Sequence, residues 1–160
     1  MTDGTDSRRD GPGVKLPPPF LYLTSFLVGI VLQHALPIPA PLPLPLGRFL
    51  GWLLAVVSLV VAALGVRSLR AAGTTIRTDK PASMLVTAGI FGRTRNPLYL
   101  SLLLLYAGIS VFLNLWWPVV LLPLLVLTMN RFVIAKEEAY LVGEFGAAYR
   151  EYTQRVRRWM

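Results

Sequence analysis

Apolar residues fall in four long runs that are separated by polar or proline-rich segments. A helix that crosses a bilayer needs about 20 mostly apolar residues, and four windows approach this length: 20–36, 49–66, 98–113 and 115 to about 133. Because only 15% of the residues are charged and the apolar residues are concentrated in these windows, the sequence predicts an all-α polytopic membrane protein with about four transmembrane helices.

The segments outside the first two windows predict a tail and a stiff connector. Residues 1–16 contain mostly Gly, Asp, Ser, Pro and Arg, so we expect a disordered N-terminal tail followed by a single domain over 17–160. Proline alternates with apolar residues over 37–45, which favours extended polyproline geometry.

The first window follows basic residues, as the apolar part of a signal peptide does. However, a proline run follows it instead of a clean cleavage site, and we expect the span to be retained.

The distribution of basic residues predicts the orientation in the membrane. The net charge is +8, and the basic residues lie before the first window, between the second and third windows, and after the fourth. Arg48 is the only basic residue in the two loops on the opposite side. By the positive-inside rule, both termini and the central loop are expected in the cytoplasm. The compactness of the chain is typical of a bacterial protein, so the bacterial inner membrane is the expected location. This arrangement by membrane side does not indicate a nucleic-acid partner.

The third and fourth windows are joined only through Asn114, which predicts a tight antiparallel helical hairpin. Such a hairpin would bring residues 96–99 to the same membrane face as Arg131 and Glu137. Residues 136–159 then predict a cytoplasmic amphipathic helix, either packed against the central segment or lying on anionic lipid. The apolar stripe of this helix contains Leu141, Phe145, Ala148, Tyr149, Tyr152, Val156 and Trp159.

Two polar clusters lie at the edges of these spans, where polar residues are costly and usually mark a site. The first is Arg-Asn-Pro-Leu-Tyr at 95–99, and the second is the pair Glu137 and Glu138. They are followed in order by Phe145-Gly146, Tyr149, Tyr152 and Val-Arg-Arg-Trp at 156–159. This order resembles the membrane-embedded methyltransferases that include isoprenylcysteine carboxyl methyltransferases and phospholipid methyltransferases. The resemblance covers about residues 73–160, which it implies to be the catalytic half of the domain.

The resemblance implies S-adenosyl-L-methionine as the cofactor and a lipophilic or membrane-associated acceptor, with O-, N- or S-methylation left open. The implied pocket lies at the cytoplasmic boundary, between the loop before the third span, the start of that span and the helix after the fourth. The implied cofactor contacts are Met84, Leu85, Val86, Phe91, Asn96, Pro97, Leu98, Tyr99, Glu137 and Glu138, with Glu138 the weaker member of its pair.

Arg131 and Arg95 are the candidate catalytic residues. At the end of the fourth window, the Arg131 guanidinium can orient an anionic acceptor such as a carboxylate or phosphate, and Arg95 begins the Arg-Asn-Pro-Leu-Tyr cluster. Both are equally consistent with basic anchors at the membrane surface. The chain has no cysteine, which excludes a disulfide framework and a thiolate metal site. No metal is expected in the reaction.

Two positions depart from the family pattern. Members commonly have histidine where this chain has Asn96, and often tyrosine where it has Phe91. Asparagine can donate and accept hydrogen bonds but does not change its charge near neutral pH, so a binding role survives and a proton shuttle at this position is excluded. The alternative function is a non-catalytic membrane scaffold or lipid-binding protein of the same fold. A nicotinamide-dependent reductase is disfavoured, because the reductases with similar elements are much longer chains.

Overall fold

A computed structural model describes residues 17–73 and 84–160. Within these ranges the chain is all-helical and contains no strand, which confirms the predicted class. The predicted disordered tail, residues 1–16, lies outside the described residues. The helices are α1 (Pro18–Ala35), α2 (Leu44–Ala71), α3 (Pro97–Phe112), α4 (Trp116–Met129) and α5 (Ala135–Arg155), with a 3-10 turn at Gly89–Gly92 and a π-helical turn at Asn130–Ile134.

Three helical stretches of the described chain are long and apolar enough to cross a bilayer. They are α1, α2 and the apolar part of the helix that runs from Trp116 through the π-helical turn to Arg155. Helix α3 has 16 residues, which at 1.5 Å per residue makes it about 24 Å long, against a hydrocarbon core of about 30 Å. Four apolar helices are therefore present among the described residues, and the third is shorter than the full hydrocarbon thickness.

Small residues allow the helices to approach closely. Helix α2 packs along α3, and a Cβ atom added at Gly51 would lie 2.6 Å from the carbonyl oxygen of Gly108. Helix α1 packs along α4, where Gly29 lies against Pro118. Because lipid is as apolar as the helix surfaces, close backbone packing of this kind is a principal source of association between membrane helices.

The predicted hairpin between α3 and α4 is confirmed. Its three-residue turn contains Asn114 at a φ of +59°, a left-handed conformation that asparagine tolerates better than most residues. The start of α4 is held from α1, because the side-chain oxygen of Gln33 accepts hydrogen bonds from the backbone amides of Trp116 and Trp117 at 3.1 and 3.2 Å. The hairpin places the beginning of α3 beside the end of α4.

The predicted helix over 136–159 requires two corrections. Gly146 has a φ of 54° and a ψ of −121°, which kinks α5, and the helix ends at Arg155. Leu141 and Phe145 of the predicted stripe still pack with Tyr149, Tyr152 and Val156 across the kink, whereas Trp159, beyond the end of the helix, packs against the core of the helix bundle. Ala148, just beyond the kink, is exposed instead of lying on the buried stripe.

The predicted packing of α5 against the central segment is confirmed where that segment is described. Leu85 packs against the cluster of Tyr149, Tyr152 and Val156. The hydroxyl of Tyr152 donates a 2.7 Å hydrogen bond to the carbonyl oxygen of Phe91 in the 3-10 turn. Helix α5 thus holds the loop that leads into α3.

Candidate functional site

Asn96 occupies the N-cap position of α3, and its side chain makes a long-range contact instead of capping the helix. Its Nδ2 atom donates a 2.9 Å hydrogen bond to the backbone carbonyl of Arg158. The buried Thr94 hydroxyl donates to the same carbonyl at 3.3 Å and accepts a hydrogen bond from the backbone N–H of Asn96. Pro97 follows in the first turn of the helix, where its missing N–H costs nothing.

Tyr99 and Glu137 join the two polar clusters that the sequence singled out. The Tyr99 hydroxyl donates a 2.7 Å hydrogen bond to Oε1 of Glu137, across 38 positions of sequence. Tyr99 is buried at 8% exposure, and its carbonyl oxygen accepts a bond from the hydroxyl of Tyr22 on α1. The predicted juxtaposition of these clusters is confirmed.

Glu137 lies beyond the end of the fourth apolar window, in the first turn of α5. Burial raises the pKa of its carboxyl to about 7, and the neighbouring charge of Glu138 acts in the same direction. The hydrogen bond from Tyr99 opposes the increase because it favours the charged form. This carboxyl therefore exchanges its proton near neutral pH.

Glu138 is held by two arginines. Arg95 Nη1 lies 3.1 Å from its Oε1, while Arg158 contacts both carboxylate oxygens, with Nε 3.0 Å from Oε1. The side chains of Arg95 and Glu138 are only 14% and 18% exposed. Buried Arg95 Nε has no hydrogen-bond partner within residues 17–73 and 84–160. The resemblance implied that Glu138 is the weaker of the two glutamates, yet its ionic contacts are the more extensive.

Tyr149 lies in the electric field of this charge cluster, which we define as Arg95, Glu138 and Arg158. Burial raises the pKa of the Tyr149 hydroxyl, the charge of Glu138 raises it further, and Arg95 opposes the change. The hydrogen bond to Glu138 raises the pKa of Arg158. The cluster carries two positive charges and one negative charge.

Residues 156–159, here called the C-terminal strap, connect the loop before α3 to the rest of the site. The backbone amide of Arg95 donates to the carbonyl of Arg157 at 3.1 Å. The indole N–H of Trp159 donates to Oδ1 of Asn130, in the π-helical turn, at 3.1 Å. The sequence placed an Arg-Arg-Trp tail in the family pattern but did not assign Arg158, Thr94 or Asn130 to the site. Which of two adjacent arginines faces inward depends on the backbone direction after α5, and no local pattern reveals that.

A groove of about 530 Å³ lies between the end of α2 and the segment before α3. Met84, Leu85 and Val86 line it together with Arg67 and Ser68. This volume is within the range of small-molecule sites, about 300–1,000 Å³. Tyr99 and the two glutamates do not line the groove. Leu85 connects the two regions, since it also packs against the Tyr149 cluster.

The remaining predicted residues have varied positions. Pro97 is fully buried and Leu98 is half-buried, and both lie against Gly65 of α2. Phe91 is half-buried in the 3-10 turn.

Arg131 lies in the π-helical turn with an exposed side chain, next to the 60% exposed Phe132. Thus Arg95, Asn96, Tyr99 and the two glutamates are brought together, whereas Arg131 is outside the charge cluster.

Comparison with known proteins agrees with the resemblance found in the sequence. The sequence model of the phospholipid methyltransferase family matches residues 46–148. A similar protein from Haemophilus influenzae, described as uncharacterized, is 46% identical over 65 residues, which are 39% of this chain and the whole of that protein. No solved structure matches. The family match covers more than half of the chain, from the first turn of α2 into α5, and this integral membrane protein therefore belongs to the phospholipid methyltransferase family.

Proposed function

We propose that this protein transfers a methyl group from S-adenosyl-L-methionine to a lipophilic or membrane-associated acceptor. The main support is the 2.7 Å hydrogen bond between Tyr99 and Glu137, because it joins the two clusters that the family resemblance assigns to the cofactor. The charge cluster lies next to this bond through the adjacent Glu138. Donor and acceptor meet at the cytoplasmic boundary in this proposal, the donor from the cytoplasm and the acceptor from the bilayer.

The residues present fit the chemical groups of this donor. Glu137 supplies a carboxyl for hydroxyl or ammonium groups, and Arg95 supplies a guanidinium for a carboxylate, its buried Nε having no partner among the described residues. The groove supplies apolar walls for a base. When bound, S-adenosyl-L-methionine supplies an electrophilic methyl group that leaves sulfur as its bond to the acceptor forms. The residues proposed to hold it are Met84, Leu85, Val86, Phe91, Asn96, Pro97, Leu98, Tyr99, Glu137 and Glu138.

The protein's own contribution in this proposal is positioning and proton transfer. Alignment of two reactants can provide much of the rate enhancement of a displacement. Glu137, with its pKa near 7, is suited to accept a proton if the acceptor enters protonated, as an amine does. Arg131, exposed at the edge of the fourth span, is suited to orient an anionic acceptor group and serves in the proposal as the acceptor-side arginine.

Binding of S-adenosylhomocysteine to the purified protein in detergent tests the proposal. Calorimetry should give saturable binding to the wild type, and Glu137→Gln and Tyr99→Phe should each weaken it about tenfold, the effect of losing one hydrogen bond to a charged group. Glu151→Gln is the matched control, because Glu151 is 69% exposed and, among the described residues, pairs only with Arg155. A wild type that does not bind the compound would refute the proposal.

Methyl transfer itself requires a second measurement. Membranes containing the wild type, incubated with methyl-labelled S-adenosyl-L-methionine, should accumulate label in the lipid or membrane-protein fraction, and those containing Glu137→Gln should accumulate it more slowly. Saturable binding without transfer would favour the non-catalytic scaffold. Stabilisation by NADPH in place of S-adenosylhomocysteine would favour a reductase.

A further inference from the structure

The C-terminal strap contacts two regions that are far apart in sequence, the loop before α3 and the junction of the π-helical turn with α5. It bonds to the loop before α3 through the carbonyls of Arg157 and Arg158, to α5 through the side chain of Arg158, and to the π-helical turn through Trp159. Val156, at its start, is buried at 8% exposure. The strap is therefore integrated into the site instead of extending from it as a free terminus.

Arg158 is fixed from both its backbone and its side chain. Asn96 and Thr94 both donate to its carbonyl oxygen, so the direction of the strap is set at this residue. Its guanidinium then makes a two-point contact with Glu138, the geometry that gives arginine its specificity for carboxylates. No other residue of the strap contacts an acidic side chain within the described ranges.

Glu138 in turn holds Arg95, which begins the Arg-Asn-Pro-Leu-Tyr cluster. Oε1 of Glu138 accepts from Arg158 Nε and also lies 3.1 Å from Arg95 Nη1. If Arg158 were removed, the poorly exposed carboxylate would lose one of its two cationic partners and would be free to rotate toward Arg95. The position of the Arg95 guanidinium thus depends on Arg158 through the shared carboxylate.

We propose that Arg158 is a positioning residue for the donor site, acting through Glu138 to fix the Arg95 guanidinium. This inference rests on the proposed function and deepens it, because it adds the C-terminal strap to the elements that a methyl donor requires. It also assigns a role to the hydrogen bonds of Thr94 and Asn96, which hold the Arg158 backbone in place.

A double-mutant cycle tests this role. Arg158→Gln should weaken S-adenosylhomocysteine binding about tenfold and raise the KM for S-adenosyl-L-methionine more than it lowers kcat. In a Glu138→Gln background the same substitution should have little further effect, because the carboxylate through which it acts is absent. Arg158→Lys should be intermediate, since lysine keeps the charge but loses the two-point contact. Arg155→Gln, which breaks the exposed pair with Glu151, is the control and should bind like the wild type.

The outcomes separate this inference from the proposed function. If the wild type binds and Arg158→Gln binds equally well, the inference is wrong while the function stands. Equal losses from Arg158→Gln in both backgrounds would also overturn it, because they would show an effect that does not pass through Glu138. If Arg158→Gln does not fold, as judged by thermal unfolding, Arg158→Lys takes its place in the cycle. Equal losses of binding from Arg158→Lys with and without Glu138→Gln would then overturn the inference.

Discussion

Glu137 and Glu138 are adjacent in sequence but have different surroundings. Successive helical residues point about 100° apart, so one carboxyl faces Tyr99 and the other faces Arg95 and Arg158. Glu137 has no cationic partner among the described residues, and burial raises its pKa. The acidic pair could be recognised from the sequence as site residues, but the distinct role of each member depends on which residues the fold brings to it.

The pKa of Glu137 predicts a pH-dependent stability difference. Because the folded-state pKa of about 7 exceeds the ordinary value of 4.5, the folded protein binds more protons between these values. The stabilisation by the neutral carboxyl is present below about pH 4.5 and is lost as pH rises through 7. Glu137→Gln stays neutral, so its unfolding free energy relative to wild type should increase from pH 5 to pH 8, by roughly 3 kcal/mol at most. Thermal unfolding in detergent measures this, and a difference independent of pH would contradict it.

Asn96 predicts a ranking of substitutions. Its side chain donates to the carbonyl of Arg158, and an aspartate of the same shape can only accept at neutral pH. Asn96→Asp should therefore destabilise the fold by about 1–3 kcal/mol. Asn96→His retains an N–H donor and should be closer to wild type. The measurement is the unfolding temperature of each variant, and equal values for the two would show that the donor is not what this position requires.

Alanine substitutions at Gly146 and Gly143 test whether the fold requires the kink in α5. Gly146 has a φ of 54° and a ψ of −121°, a region that is essentially restricted to glycine. Gly143 lies in regular helix, and a Cβ there would meet nothing within 4 Å. Gly146→Ala should cost about 1–3 kcal/mol of unfolding free energy, whereas Gly143→Ala should stabilise the protein by up to about 1 kcal/mol. Opposite signs in thermal unfolding are expected, and a stabilised Gly146→Ala would show that the kink is not required.

The ends of the helices could be predicted from the sequence with different accuracy. Helix α3 begins and ends within one residue of the apolar window 98–113, because an uninterrupted apolar run leaves few alternatives in a bilayer. Helix α2 begins at Leu44 instead of residue 49, since the prolines that define the connector also suit the first turn of a helix. The break at Gly146 and the end of α5 at Arg155 could not be read from an amphipathic pattern that continues through both.

The orientation of the whole molecule gives a prediction that the natural sequence makes simple to test, because it contains no cysteine. We propose that both termini face the cytoplasm, from the excess of basic residues on that side. In intact cells a membrane-impermeant maleimide should label Ala40→Cys, in the proline-rich connector, and should label Gln154→Cys, exposed on α5, only after permeabilisation. The reverse pattern would invert the topology and place the proposed donor site on the wrong side.

The sequence by itself determined the class of fold, the hairpin and the meeting of Tyr99 with Glu137. It could do so because a bilayer requires apolar helices with internally satisfied backbones, and a short turn leaves two such helices only an antiparallel arrangement. Only the tertiary structure decided that the chain after α5 turns back across the loop before α3. This turn brings the Arg158 guanidinium to Glu138 and lets the side-chain amide of Asn96 donate to the Arg158 carbonyl. Those contacts are long-range hydrogen bonds made by the chain beyond the kink at Gly146, and hydrophobic periodicity carries no information about them.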